Sequence, residues 1–253
     1  MPTAERLVPR FEVDPSWPIL PNDWVLGSVA SVDVDSRDHV WIYHRPRSVD
    51  ETQQANAAPA VLEFDPNGNF VQAWGGPGDG YDWPANEHGI EVDDQGYVWI
   101  GGNAGNPASD DMLLKFTRDG DLVMQIGGRG TSGGNTDTHN LKRPAEAAVY
   151  RDTNEVFVAD GYGNRRVIVF DADSGEYKRM WGAFENVPIE AVDEQPPPDD
   201  VLGPLQFGTV HGIEVSNDGL VYVADRDLNR IQVFSIDGTY QTQAFVNRDS
   251  NAN

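Results

Sequence analysis

Two histidines stand at the same place in a repeated phrase. His88 and His211 each open the string HGIEV, four residues before its final valine, Val92 or Val215. The matching positions before Val34 and Val149 hold Ala30 and Ala145, so the series runs Ala, His, Ala, His. Imidazoles at alternate repeats, with small side chains between them, would aim ring nitrogens at one axial point and leave space for a ligand. Three such rings with a fourth position open are what a catalytic zinc needs, and this chain supplies two. With no cysteine among its 253 residues, any transition metal must be held by histidines and carboxylates.

Other groups could share that site. His44 and Arg45 directly follow the apolar string VWIY, where the chain leaves for a long polar stretch. Tyr162 lies between Gly161 and Gly163, whose missing Cβ atoms let a loop approach closely. Its place after a strand matches that of Arg45, which puts both on one rim. His39, on a turn, and His139, in a stretch rich in Gly, Ser, Thr and Asn, read as solvated. Asp33, Asp35 and Asp38 lack the glycine and final glutamate of a calcium loop. Asp225, Asp227 and Asn229 are followed by Arg230 where glycine would be required, so both sets read as turns. There is no Gly-rich phosphate loop, no Gly-x-Ser-x-Gly elbow and no cysteine nucleophile.

A repeat must position these residues. The phrase that follows each HGIEV-like strand is VWIYHR from Val40, VWIGGN from Val98, VFVADG from Val156 and VYVADR from Val221. The spacings are 98 − 40 = 58, 156 − 98 = 58 and 221 − 156 = 65. Each copy continues with LEFDPNGNF, LKFTRDGDL, VIVFDADSGEY or IQVFSIDGTY, and then a last strand such as VQAWGG or KRMWG. Alternating apolar residues bounded by Asp, Asn and Gly mark short antiparallel strands. Four of them per unit predict an all-β fold, a β-propeller of four blades. The first strand of each blade then lines the central channel. The period exceeds that of a compact blade, and the excess falls in residues 46–59, 101–111, 129–143 and 185–204, which are expected as rim loops. Residues 1–24 contain one candidate strand, LVPRFEV, as a lead-in able to complete a last blade; the propeller is expected over 25–253.

The formal net charge of −23 and pI near 4.3 exclude a nucleic-acid binder that works by neutralising phosphates, and read as a solvated acidic surface. No apolar run approaches membrane length. The opening MPTAERLVPRFEVDP lacks the apolar core of a secretory leader, which leaves either no export or a leader outside this chain. The compartment is not specified.

The strings IYHR, HGIEVDDQGYVW, VADGYGNRRVIVF and VHGIEV…VADRDLNRIQVF, in that order, resemble NHL repeats and, among them, the peptidyl-α-hydroxyglycine α-amidating lyases. The resemblance implies a six-bladed propeller with zinc on three histidines. His88 and His211 would be two of these ligands, Tyr162 the general base and Arg45 the cation that positions the substrate. It also implies a structural calcium in the channel held partly by backbone carbonyls, with Ile90 a candidate. This chain would then hold four of six blades, the third histidine lying in blade six. Such an open ring exposes strand edges and favours self-association, whereas a closed ring of four is the alternative. The family's disulfide-bonded cysteine beside the tyrosine is here Gly163. The implied reaction splits the N–C bond of a carbinolamide, on a small-molecule or peptide substrate, into an amide and glyoxylate. Two rival readings are a non-enzymatic NHL propeller that binds a protein or glycan through its rim loops, and a different propeller hydrolase with the same metal funnel.

Overall fold

A computed structural model describes residues 10–189 and 202–246. It contains four sheets, each a four-stranded antiparallel meander in sequence order. Blade one is β1 (Ser28–Val34), β2 (Val40–Arg45), β3 (Val61–Phe64) and β4 (Phe70–Trp74). Blade two is β5 (Glu87–Val92), β6 (Val98–Gly102), β7 (Met112–Phe116) and β8 (Leu122–Gly127). Blade three is β9 (Glu146–Tyr150), β10 (Glu155–Asp160), β11 (Arg166–Asp171) and β12 (Tyr177–Trp181). Blade four is β13 (Val210–Val215), β14 (Leu220–Asp225), β15 (Arg230–Ser235) and β16 (Tyr240–Phe245). The four repeated phrases therefore fall on the second strands, as their alternation requires.

The first strands pack side by side in the order β1, β5, β9, β13, so they are the innermost, and β13 does not pack back on β1 in this way. Val29, Val32 and Val34 on β1 and Tyr222 on blade four stay exposed. The four blades form an arc, not a closed ring of four. Apolar clusters fill the space between successive blades. Trp41, Tyr43, Ile100 and Phe116 join blades one and two, Trp99, Leu113, Val156 and Phe170 join two and three, and Phe157, Trp181, Val221 and Phe234 join three and four. Burial of each such side chain contributes about 1.5–3 kcal/mol.

Within the expected lead-in, the described residues 10–24 form no strand. Residues 17–24 lie on blade one, where Trp17, Leu20 and Trp24 pack against a cluster of Ile42, Leu62 and Phe64, and Ile19 makes an isolated bridge to Asn69. Trp17 sits over the turn glycine Gly68 as Trp74 sits over Gly120 and Trp181 over Gly238. It supplies to blade one the aromatic contact that the outermost strands of blades one and three supply to the next blade. Residues 7–9 of LVPRFEV lie outside the described residues, as does most of the 185–204 stretch.

Carboxylates tie one inner strand to the next. The Val92 N–H donates to Asp33 (2.5 Å), the Val149 N–H to Glu91 (3.1 Å) and the Ile213 N–H to Glu146 (3.0 Å). Burial pushes the carboxyls of Asp33, Glu91 and Glu146 up, Glu91 most strongly, and Asp33 adds like-charge repulsion to both glutamates. A carboxyl raised in the folded chain holds a proton that the unfolded chain has already released. Stability therefore falls as pH rises from the ordinary glutamate value through the raised one. Glu91→Gln keeps an acceptor for the Val149 N–H and removes the charge. Its melting temperature should exceed that of the parent by a few degrees at neutral pH, with the gain vanishing in acid; a gain independent of pH would contradict this origin.

Candidate functional site

The two histidines and the tyrosine predicted from the sequence meet at one mouth of the arc. His88 lies near the start of β5 and His211 near the start of β13, with β9 between them. The His88 Nδ1–H donates to the Ala145 carbonyl at 2.9 Å, which fixes the tautomer and leaves Nε2 a lone pair. Gly89 makes that approach possible, because a Cβ there would stand 2.4 Å from the same carbonyl. The residue at the alanine position of blade three is thus the hydrogen-bond partner of the histidine in blade two.

Tyr162 enters from the loop after β10. A Cβ on Gly161 would come within 2.0 Å of the Val210 carbonyl, so only glycine lets this loop press against β13. The phenol oxygen lies 2.9 Å from His88 Nε2 and 2.9 Å from His211 Nε2. With one proton to give, it donates to His88 and accepts from His211. The rings of His88 and His211 are 5.1 Å apart, centroid to centroid. Burial lowers the pKa of both imidazoles; His211 and Arg45 lower His88 further, and Arg226 lowers His211. Both rings stay neutral, and able to coordinate, at more acidic pH than a free imidazole.

Arg45 reaches the site at one remove. Its Nε–H donates to the Glu87 carbonyl at 2.9 Å, beside His88. Arg226 is closer, and was missed by the sequence reading. Its Nη1–H donates to the Tyr162 oxygen at 3.3 Å, and the guanidinium stands 5.3 Å from the tyrosine ring centre. A signal for it exists: Arg45 is five residues past Val40 (45 − 40 = 5) and Arg226 five past Val221 (226 − 221 = 5). Register counting on the second strands pairs the arginines as counting on the first pairs the histidines.

His44 does not belong to the site. It is fully buried, accepts from the Gly27 N–H at 3.0 Å through Nδ1 and donates from Nε2 to the Pro59 carbonyl at 2.9 Å. Strand alternation turns it to the opposite face from Arg45. His39 is not simply solvated: its Nδ1 lies 2.6 Å from Glu63, in a cluster with Asp35. The Arg118 guanidinium already bridges Asp35 and Glu63, so that cluster carries its own cation. His139 is exposed, as expected. Ile90 pairs with Ile100 and buries its side chain in the core between blades one and two.

His88 and His211 present the donor chemistry of a transition metal. Coordination needs a shift of the His211 Nε2 proton to Nδ1 and withdrawal of the Tyr162 hydroxyl, which both Nε2 atoms face. Among the described residues no third histidine or carboxylate joins them, so they fit such an ion as two of its ligands.

Comparisons with known proteins sharpen the picture. The NHL repeat family matches residues 207–234, which cover β13, β14 and all but the last residue of β15. The chain carries an NHL repeat. It is 29% identical over 239 residues to NHL repeat-containing protein 3 of Homo sapiens, covering 92% of this chain and 58% of that protein. It is 27% identical over 252 residues to peptidyl-alpha-hydroxyglycine alpha-amidating lyase 1 of Drosophila melanogaster, covering 90% of this chain and 41% of that one. The chain thus spans about half the length of these relatives. A chain of the nidogen/laminin complex superposes with a TM-score of 0.53 at 12% identity, over 88% of this chain and 65% of the other, which shows the propeller fold alone. No helix among the described residues is long and apolar enough to cross a membrane.

Proposed function

We propose that this NHL propeller is a zinc-dependent carbon–nitrogen lyase that splits a carbinolamide into an amide and glyoxylate. The convergence of His88 Nε2, Tyr162 oxygen and His211 Nε2 within hydrogen-bond distance carries the reading. Similarity to an amidating lyase over most of the chain supports it. Zinc, when held by His88 and His211, supplies Lewis-acid activation of the substrate hydroxyl.

The side chains divide the remaining work. Tyr162, first deprotonated to the phenolate, accepts the hydroxyl proton and passes it to the leaving nitrogen. As the C–O bond becomes a carbonyl, the N–C bond breaks, and its electron pair and one proton end on the amide nitrogen. Arg226, donating to the Tyr162 oxygen, is placed to stabilise the phenolate before it takes that proton and after it gives it up. Arg45 holds the carboxylate that becomes part of glyoxylate. A structural calcium at the Ile90 carbonyl belongs to the same proposal.

The experiment is glyoxylate release from an α-hydroxyglycine peptide by the full chain, before and after chelation. Release that stops with chelator and returns with zinc is expected. If the zinc-loaded chain releases none, the non-enzymatic reading prevails, a propeller that binds a protein or glycan through its rim loops. The similarity to NHL repeat-containing protein 3 already favours that reading as the second.

A further inference from the structure

Besides the approach of Gly161 to Val210, the Tyr162 loop is held by a short segment, residues 142–145, and each residue of it that grips the site does so differently. The Lys142 N–H donates to Asp160 at 2.8 Å, at the base of the loop. The Lys142 stem lies against Gly163, where a Cβ would meet its Cγ at 2.3 Å. Ala145 supplies the carbonyl that fixes His88. Between them, Arg143 donates from Nη2 to the Tyr162 carbonyl at 2.5 Å.

Arg143 adopts φ +57°, a left-handed conformation, although it is not glycine and precedes a proline. That backbone costs on the order of 1–3 kcal/mol and persists only where surrounding contacts over-determine it. Here the contact is the grip on Tyr162. Released into an ordinary conformation, Arg143 would carry its guanidinium away from that carbonyl. Nothing covalent replaces the grip, because the chain has no cysteine.

We propose that Arg143 is a positioning residue that sets the Tyr162 hydroxyl between His88 and His211 by clasping the tyrosine's own carbonyl. The catalytic consequence rests on the lyase reading; the geometric one does not. A loop released at this point moves the phenol off both imidazoles, and a misplacement of about 1 Å can cost on the order of 100-fold in rate.

The test removes the clasp and restores the constraint by other means. Arg143→Ala should lower kcat about 10- to 100-fold with little change in KM, since the loss is of alignment and not of substrate binding. It should also shift the imidazole nitrogen resonances of His88 and His211, with the melting temperature nearly unchanged. Lys142→Cys with Gly163→Cys in the Arg143→Ala background introduces the chain's first two thiols, at positions in van der Waals contact. Their disulfide should return both kcat and the resonances towards the parent, and reduction should undo the recovery. Arg143→Ala with unaltered resonances overturns the proposal. So does a disulfide that forms and restores neither readout, since Arg143 would then act by touching substrate. If the parent releases no glyoxylate, the lyase reading has failed, and the resonances alone decide the positioning role.

Discussion

Tyr162→Phe is expected to lose turnover by about 100- to 10,000-fold while retaining metal, because it deletes a proton acceptor and no ligand. The substitution leaves the ring where it is. The loop is held by Gly161 against Val210, Gly163 against Lys142 and the Tyr162 carbonyl on Arg143, none of which involves the hydroxyl. What disappears is the oxygen that spans the two Nε2 atoms and takes the hydrogen bond from Arg226. Steady-state release of glyoxylate, beside zinc content, measures both halves of the expectation. A phenylalanine variant with undiminished kcat would remove Tyr162 from the chemistry.

Asp160→Asn is expected to destabilise the fold by about 3–5 kcal/mol, because it strips the partner from a buried cation. Arg166 is fully buried and donates from Nε to Asp160 at 2.8 Å, with its other nitrogens on the carbonyls of Asn135, Asp137 and Asn140. Those carbonyls are neutral, so among the described residues Asp160 alone pairs with the charge. It also accepts from the Lys142 N–H and from Asn164, which ties the base of the Tyr162 loop to the segment that grips its tip. Denaturant unfolding should show a lower midpoint with the same slope. Adding Arg166→Met should recover much of the loss, since the unpaired charge goes with it. An Asp160→Asn variant as stable as the parent would mean that the carbonyls suffice for Arg166.

The blades were legible because their signal is local. Alternation in VYVAD or VFVAD, broken by Asp, Asn and Gly, needs no knowledge of distant contacts. The histidines were legible for a related reason: a repeat converts sequence register into spatial equivalence, so His88 and His211 had to face one axis. Tyr162 showed itself by the glycines on both sides. Arg226 carries the same register signal as Arg45, but its neighbours Asp225 and Asp227 also suit a plain turn. His44 misled because proximity to Arg45 in sequence is separation across a strand. Arg143 was beyond reach, since its role depends on two rim loops meeting, and nothing in LKRPAE records that the guanidinium will find the Tyr162 carbonyl. Trp17 belongs with it: the lead-in packs by a contact that only the assembled blade one reveals.

Zinc binding by the full chain, compared with His88→Ala and His211→Ala, tests the central claim most directly. Competition with a chromophoric chelator near neutral pH is expected to show about one zinc per chain. Each substitution should weaken it by more than the roughly 10- to 100-fold that loss of an outer hydrogen-bond partner costs, since each removes a ligand. Zinc held equally well by both variants, or not held by the parent, would contradict a metal centre built on His88 and His211.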